Sequence, residues 1–195
     1  MEITNWILEN YIEILGAVAG IVYVFLEIRQ NIWLWPVGIV TASVYLWVFF
    51  TGRLYAEMSL QGYYLIISII GWYWWGMRTG GKQPQGKLKV SRIRSGPAVI
   101  LAIILIVVYT VIWFVLDRFT DSPVPEWDSF ITSFSIIGTW MLARKIYEHW
   151  YLWIIANSAA SVLFFSRGLY PTMLLYIIYL VMSFAGLKAW KKSFK

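Results

Sequence analysis

The chain has 195 residues, 60% of them hydrophobic and 13% charged, with 13 Trp, 13 Tyr and a formal net charge of +6. A soluble domain is about 45–50% apolar and about 25% charged, so this composition belongs in a lipid bilayer. The absence of Cys and the single His149 exclude disulfides and thiolate chemistry, and give no pattern for a metal site or other cofactor.

Seven apolar spans follow in chain order, each of roughly 16–21 residues and near the length that crosses about 30 Å of hydrocarbon. The first, Tyr11–Glu27, has no short apolar run with a small-residue cleavage site before it and is expected to be retained. The second is Ile32–Phe50 and contains Trp35-Pro36. The third, Ala56–Gly76, sets Gln61, Tyr64, Ser68, Trp72 and Trp75 on one helical face at spacings of 3, 4, 4 and 3. The basic, Gly-rich stretch Met77–Gly96 predicts a loop. The fourth span, Pro97–Leu116, is polar or amphipathic only at Tyr109, Thr110 and Trp113, which suits a lipid-facing linker.

Asp121–Glu126, with Pro123 and Pro125, predicts a short external loop. The fifth span, Asp128–Ala143, opens on Asp128, which fits an N-cap and a binding group equally well, and carries Thr132, Ser133 and Ser135. The sixth, His149–Phe165, presents Trp150, Trp153, Asn157 and Ser161 on one face. The seventh, Thr172–Trp190, presents Tyr176, Tyr179 and Ser183 in the same rhythm.

The chain repeats itself at an offset of 115 residues. Arg29 matches Arg144, Trp35 matches Trp150, and Phe49-Phe50 match Phe164-Phe165. Leu54-Tyr55 match Leu169-Tyr170, and the register continues through Tyr64/Tyr179, Ser68/Ser183, Gly71/Gly186 and Trp75/Trp190. The acidic pair Glu13/Asp128 obeys it as well. Three spans, one linker and three spans follow, with boundaries at 1–76, 77–127 and 128–195. Because the linker is a single span, both triplets enter from the same face. The expected fold is an all-α membrane protein of two parallel three-helix repeats, a 3+1+3 design like the SWEET-type sugar transporters.

Lys and Arg are segregated: 13 fall on the side of Arg29, the 77–96 loop, Arg144-Lys145 and the C-terminal end, and three (Arg53, Arg118, Arg167) on the other. The positive-inside rule then puts the N-terminus outside and the C-terminus in the cytoplasm, as expected in the cytoplasmic (inner) membrane of a cell. The net charge is thus explained by topology, and nucleic acid is not an expected partner. A homo-oligomer in the bilayer is compatible with these features.

Polar groups within spans are costly unless partnered, so they are candidate functional positions. Turned inward, the faces of spans three, five, six and seven would wall an aromatic, water-accessible cavity. Each has a structural alternative: Trp and Tyr gather in interfacial belts, and Ser and Thr bond their own helix backbone. Glu27 and Glu148 are expected to pair with Arg29, Arg144 or Lys145 at the cytoplasmic rim, and His149 to be interfacial. Asn157, mid-span among apolar neighbours, suits substrate contact or an interhelical hydrogen bond. A cage of Trp72, Trp75, Trp150 and Trp153 suits a flat cationic ring, because Trp faces attract cations by roughly 0.5–2 kcal/mol each. It suits a phosphate poorly, since the spans hold no Lys or Arg except Lys188 at the end of the last.

The segment Gly71-Trp72-Tyr73-Trp74-Trp75, preceded by Leu54-Tyr55-Ala56, and the run Trp127-Asp128-Ser129, Ala143-Arg144-Lys145, Glu148-His149-Trp150-Tyr151-Leu152-Trp153, Asn157 and Gly168-Leu169-Tyr170 resemble the PnuC family of vitamin transporters. The resemblance runs from about Glu13 to Trp190. It implies a SWEET-like carrier for facilitated diffusion of nicotinamide riboside, a cationic aromatic vitamin. It also implies a ligand held by Trp72 and Trp75 on the third span and by Trp153 and Asn157 on the sixth. Gln61, Tyr64, Ser68, Trp150, Tyr179 and Asp128 complete the candidate binding set. One departure is Ser68, where an amide is expected for the carboxamide. It points to the thiamine-carrying relatives known as PnuT, and both ligands stand as candidates. Glu13 and Asp128 keep a proton-coupled vitamin transporter in view.

Other classes fit poorly. A retinal receptor needs a buried Lys in the last span, and Lys188 lies at its end. An enzyme needs paired carboxylates or a nucleophile with its base, and none converges within the spans.

Overall fold

The structure, a computed structural model, describes residues 11–51, 55–76 and 88–194, and the side chains of all of these except 11–14 and 55–57. Among them are seven α-helices: α1 Tyr11–Ile28, α2 Leu34–Thr51, α3 Tyr55–Gly76, α4 Ser95–Phe119, α5 Pro125–Ala143, α6 His149–Ser166 and α7 Tyr170–Lys191. A 3-10 turn, Lys192–Phe194, ends the described chain. All seven expected spans are helices. The largest difference in a starting point is at α5, which begins three residues earlier than hydropathy suggests. Pro125 is its first residue, where a missing N–H costs nothing and the fixed φ favours the helix, so Pro125 and Glu126 belong to the first turn and not to a loop.

Three of the helices, Leu34–Thr51, Ser95–Phe119 and Tyr170–Phe194 (the last counted with its 3-10 turn), are long and apolar enough by composition alone to cross a membrane. α4 is the most apolar, with a mean hydropathy of 3.1. Its 25 residues span about 37 Å, more than the hydrocarbon thickness.

Six helices close a ring: α1 packs on α2, α2 on α3, α3 on α5, α5 on α6, α6 on α7, and α7 back on α1. α4 packs on α5 alone and buries none of its residues. Exposed side chains such as Ile103, Val107 and Phe114 cover its surface, as a lipid-facing helix requires.

The tightest packing lies at the end of the ring where α1 turns into α2 and α5 into α6. Leu34, Trp35, Ile67, Trp75, Leu142, Ala143, Tyr147, Trp150 and Trp190 form one buried cluster there. Both turns pass through a left-handed residue, Gln30 and Lys145, each with φ of 51°. Two close approaches hold the cluster. The Trp35 indole lies against Gly71 and the Trp150 indole against Gly186, in the space a Cβ would need. Trp35 meets Trp75 edge-on at 5.4 Å, and Trp150 meets Trp190 edge-on at 5.8 Å. The two glycines admit rings, which interlock each helix pair.

The segment before α4 is not a free loop where it is described. Ser91 bridges to the α5–α6 turn, its N–H donating to the Lys145 carbonyl at 3.0 Å and its carbonyl accepting from Tyr147 at 2.9 Å. The Ile93 N–H donates to Glu148 Oε2 at 3.0 Å, so Glu148 serves this strap, and among the described residues it forms no ion pair with Arg29, Arg144 or Lys145.

Candidate functional site

The ring encloses a cavity of about 340 Å³. Every ring helix lines it and α4 does not. α1 supplies Gly16, Gly20, Tyr23 and Glu27, which recur at helical spacing on one face. α2 supplies Gly38, Thr41 and Ala42, and α3 Gln61, Tyr64 and Ser68. α5 adds Ile131, Ser135 and Thr139. α6 adds Trp150, Trp153, Ala156 and Asn157, and α7 adds Tyr176, Tyr179 and Ser183.

Three of the five Ser and Thr residues that line the cavity are committed to their own helices, as is Ser161 one turn along α6. Ser135 donates to Ile131 O, Thr139 to Ser135 O, Ser161 to Asn157 O and Ser183 to Tyr179 O, all at 2.7–2.8 Å. This is the cheapest way to satisfy a hydroxyl in an apolar setting. Asn157 does something else: its Nδ2 donates across to Ser183 Oγ at 3.1 Å while the residue lines the cavity. The interhelical bond expected of it is present, and it leaves the side-chain carbonyl and second N–H available. Trp153 lines the wall beside it, and its buried Nε1–H has no partner among the described residues. Glu27 is the one lining residue among those described with a carboxylate or amine.

Of the residues singled out from the sequence, Gln61, Tyr64, Ser68, Trp150, Trp153, Asn157 and Tyr179 come together in this cavity. Trp72, Trp75 and Asp128 do not. Trp72 is 48% exposed. Trp75 lies in the sealed end, donating its Nε1–H to Ala143 O at 3.1 Å beneath Lys145 Nζ, 4.1 Å from its ring. The W-x-x-W spacing occurs on both α3 and α6, and only the α6 pair faces the cavity. Trp75 is taken up by the packed cluster beyond Ser68, whereas Trp72 lies outside that cluster and half-exposed. Asp128 accepts from Ser122 Oγ at 2.7 Å and orders the turn into α5. The side chain of its repeat partner Glu13 is outside the described residues, as are Arg53 and Leu54 and most of the basic loop.

The sequence also misplaced one pair and overlooked several lining residues, Tyr23 and Glu27 among them. His149 is fully buried and not interfacial; its Nδ1 lies 2.6 Å from Ile146 O and its Nε2 3.0 Å from Glu27 Oε1. Glu27 therefore pairs with His149, and not with Arg29, Arg144 or Lys145. Tyr23 and Glu27 were not among the expected binding residues. Their signal was the shared face with Gly16 and Gly20 on a helix that otherwise reads as uniformly apolar.

The comparisons with known proteins agree with this architecture. The family model for the nicotinamide mononucleotide transporter matches residues 10–192. The nicotinamide riboside transporter PnuC of Escherichia coli K12 is 27% identical over 206 residues, covering 94% of this chain and 86% of that one. The riboflavin/roseoflavin transporter RibM of Streptomyces davaonensis is 24% identical over 181 residues, covering 91% and 83%. The crystal structure of the vitamin B3 transporter PnuC superposes with a TM-score of 0.75 at 22% identity, covering 98% of this chain and 85% of that one. The seven helices thus share the PnuC fold, and a family match over nearly the whole chain makes this protein a member of the PnuC family of vitamin transporters, a carrier and not an enzyme.

Proposed function

We propose that the protein carries nicotinamide riboside by facilitated diffusion through the central cavity. The observation that carries this reading is the wall itself. Tyr23, Tyr64, Trp150, Trp153, Tyr176 and Tyr179 surround a space that contains the Asn157 amide and the Glu27 carboxylate, with no Lys or Arg. Aromatic faces favour a cationic ring, and an amide beside a free indole N–H can read a carboxamide or ribose. A phosphorylated substrate would find no Lys or Arg on this wall to meet its charge. The cavity volume falls within the roughly 300–1,000 Å³ of small-molecule sites. Curated relatives bearing the nicotinamide riboside name favour this vitamin.

Transport follows from rocking of α1–α3 against α5–α7 about the cavity. Support for two parallel repeats comes from matched features 115 residues apart: the Trp35–Gly71 and Trp150–Gly186 approaches, the two edge-on Trp pairs, and the left-handed turn residues Gln30 and Lys145. The sealed end is assigned to the cytoplasm, with the N-terminus outside. Arg92, Arg144 and Lys145 gather there over the rings of Tyr147, Trp140 and Trp75, as the positive-inside rule and the interfacial belt require.

Ser68 supports a second reading. It presents a hydroxyl to the cavity where a carboxamide-binding amide is expected, and a relative is named for riboflavin and roseoflavin. Thiamine has a cationic ring and no carboxamide. Calorimetry on purified protein with nicotinamide riboside, its 5′-phosphate and thiamine decides. Binding of the riboside with refusal of the phosphate supports the first reading; thiamine binding with a silent riboside supports the second. Silence for all three overturns both. Uptake that survives an uncoupler supports passive transport, and uptake that collapses supports the proton-coupled alternative.

A further inference from the structure

The mechanism above leaves one buried ionisable pair unused. Glu27 and His149 are 2% and 0% exposed and meet at 3.0 Å. They belong to α1 and α6, which are not neighbours in the ring. Their bond therefore spans the end of the cavity, and Glu27 lines that end. Around them Trp190 donates its Nε1–H to the Glu27 carbonyl at 3.0 Å, and the His149 ring sits 4.7 Å from Trp150 and 4.6 Å from Trp190.

Hydrogen-bond bookkeeping fixes the charge of the pair. Both imidazole nitrogens face oxygen, a carbonyl on one side and a carboxyl on the other. A carbonyl only accepts, so Nδ1 carries a proton. The second contact then needs one more, on Nε2 or on Glu27. Either way the pair is neutral as a whole and satisfied within itself.

The repeat supplies the control. At an offset of 115, Glu27 corresponds to Leu142 and His149 to Leu34, and both leucines are fully buried in the same cluster. One of two equivalent sets of positions, each with a member in either half, is thus filled by two leucines and the other by an ion pair. A buried ion pair is commonly no more stabilising than well-packed apolar residues of similar volume, so stability does not account for it. Its groups differ from leucine in another respect. They can be rehydrated when they separate, which makes parting cheaper than exposing two leucines.

We propose that Glu27 and His149 form the latch on the sealed end of the cavity, and that they part when α1 and α6 separate to release substrate on that face. The latch rests on the transport reading, but its test does not depend on which vitamin is carried. The chain has no Cys, so Thr139→Cys, on the cavity wall, provides a single thiol reporter. A membrane-impermeant maleimide is applied to vesicles exposing the face with the α5–α6 turn, and the labelling rate is measured without substrate.

In this background Glu27→Gln keeps a hydrogen bond but loses its charge assistance, and labelling should accelerate about tenfold. The double change E27L/H149L copies the equivalent residues Leu142 and Leu34 and should slow labelling about tenfold or more. These opposite shifts would establish the latch, and since leucines already occupy the equivalent sites, the double variant is expected to fold. Rates within twofold of each other in all three proteins, or faster labelling with the leucine pair, would overturn it. Calorimetry on the same proteins keeps the two failures apart: a silent latch with intact vitamin binding sinks only the latch.

Discussion

The segments α1–α3 and α5–α7 use the same framework and contribute unequally to the cavity. Each lays a tryptophan against a glycine, Trp35 on Gly71 and Trp150 on Gly186. Each closes its end with an indole donating across the ring, Trp75 to Ala143 O and Trp190 to Glu27 O. Inside the cavity they part company. Where α6 presents Trp153 and Asn157, α2 presents Gly38 and Ala42 at the equivalent positions. Gly38 has little choice, because a Cβ there would meet Ser68 Oγ at 2.9 Å and Tyr23 Cε2 at 3.2 Å. At this crossing α6 supplies the side chains and α2 the room. Between α3 and α7 the matched residues persist inside the cavity, as Tyr64 with Tyr179 and Ser68 with Ser183.

Breaking the framework should cost the two halves alike. Trp35→Ala and Trp150→Ala each remove a fully buried indole, and each should lose about 3–5 kcal/mol in detergent unfolding. Of the two, Trp150→Ala should also abolish vitamin binding, because Trp150 alone reaches the cavity. Equal loss of binding from both would mean that the framework and the site cannot be separated.

Next in size, Asn157→Leu removes the cavity amide and its bond to Ser183. A lost or orphaned buried hydrogen bond costs about 1–3 kcal/mol, so affinity should fall roughly 5- to 150-fold. Ala42→Ser, at the equivalent place in the first segment, should change affinity by less than about threefold, the range of a surface-like substitution. Smaller again, Trp75→Phe keeps the ring but loses the bond to Ala143 O. It should lower stability by about 1 kcal/mol and leave binding alone, as measured by unfolding and calorimetry together.

The helices and the polar faces of α6 and α7 were legible in the sequence because hydropathy and a 3.6-residue period report them directly. The same period failed on α3. It correctly put Gln61, Tyr64, Ser68, Trp72 and Trp75 near one another around the helix, but says nothing about depth, and the cavity ends at Ser68. On α1 the lining face is largely Gly and Ala, which exposes space and not side chains, so no polar stripe marked it. The His149–Glu27 pair joins residues 122 apart across the ring. Local spacing cannot reveal such a contact, although the offset does show that both halves bury these positions.

The central claim is that substrate sits between the α6 tryptophans and not on the α3 pair. Titrating nicotinamide riboside and thiamine into Trp153→Ala and Trp72→Ala proteins tests it most directly. The account predicts at least about a tenfold loss of affinity for Trp153→Ala, from the lost cation–π face and indole N–H, and less than about a twofold change for Trp72→Ala. Loss of binding in Trp72→Ala with Trp153→Ala unaffected would contradict it.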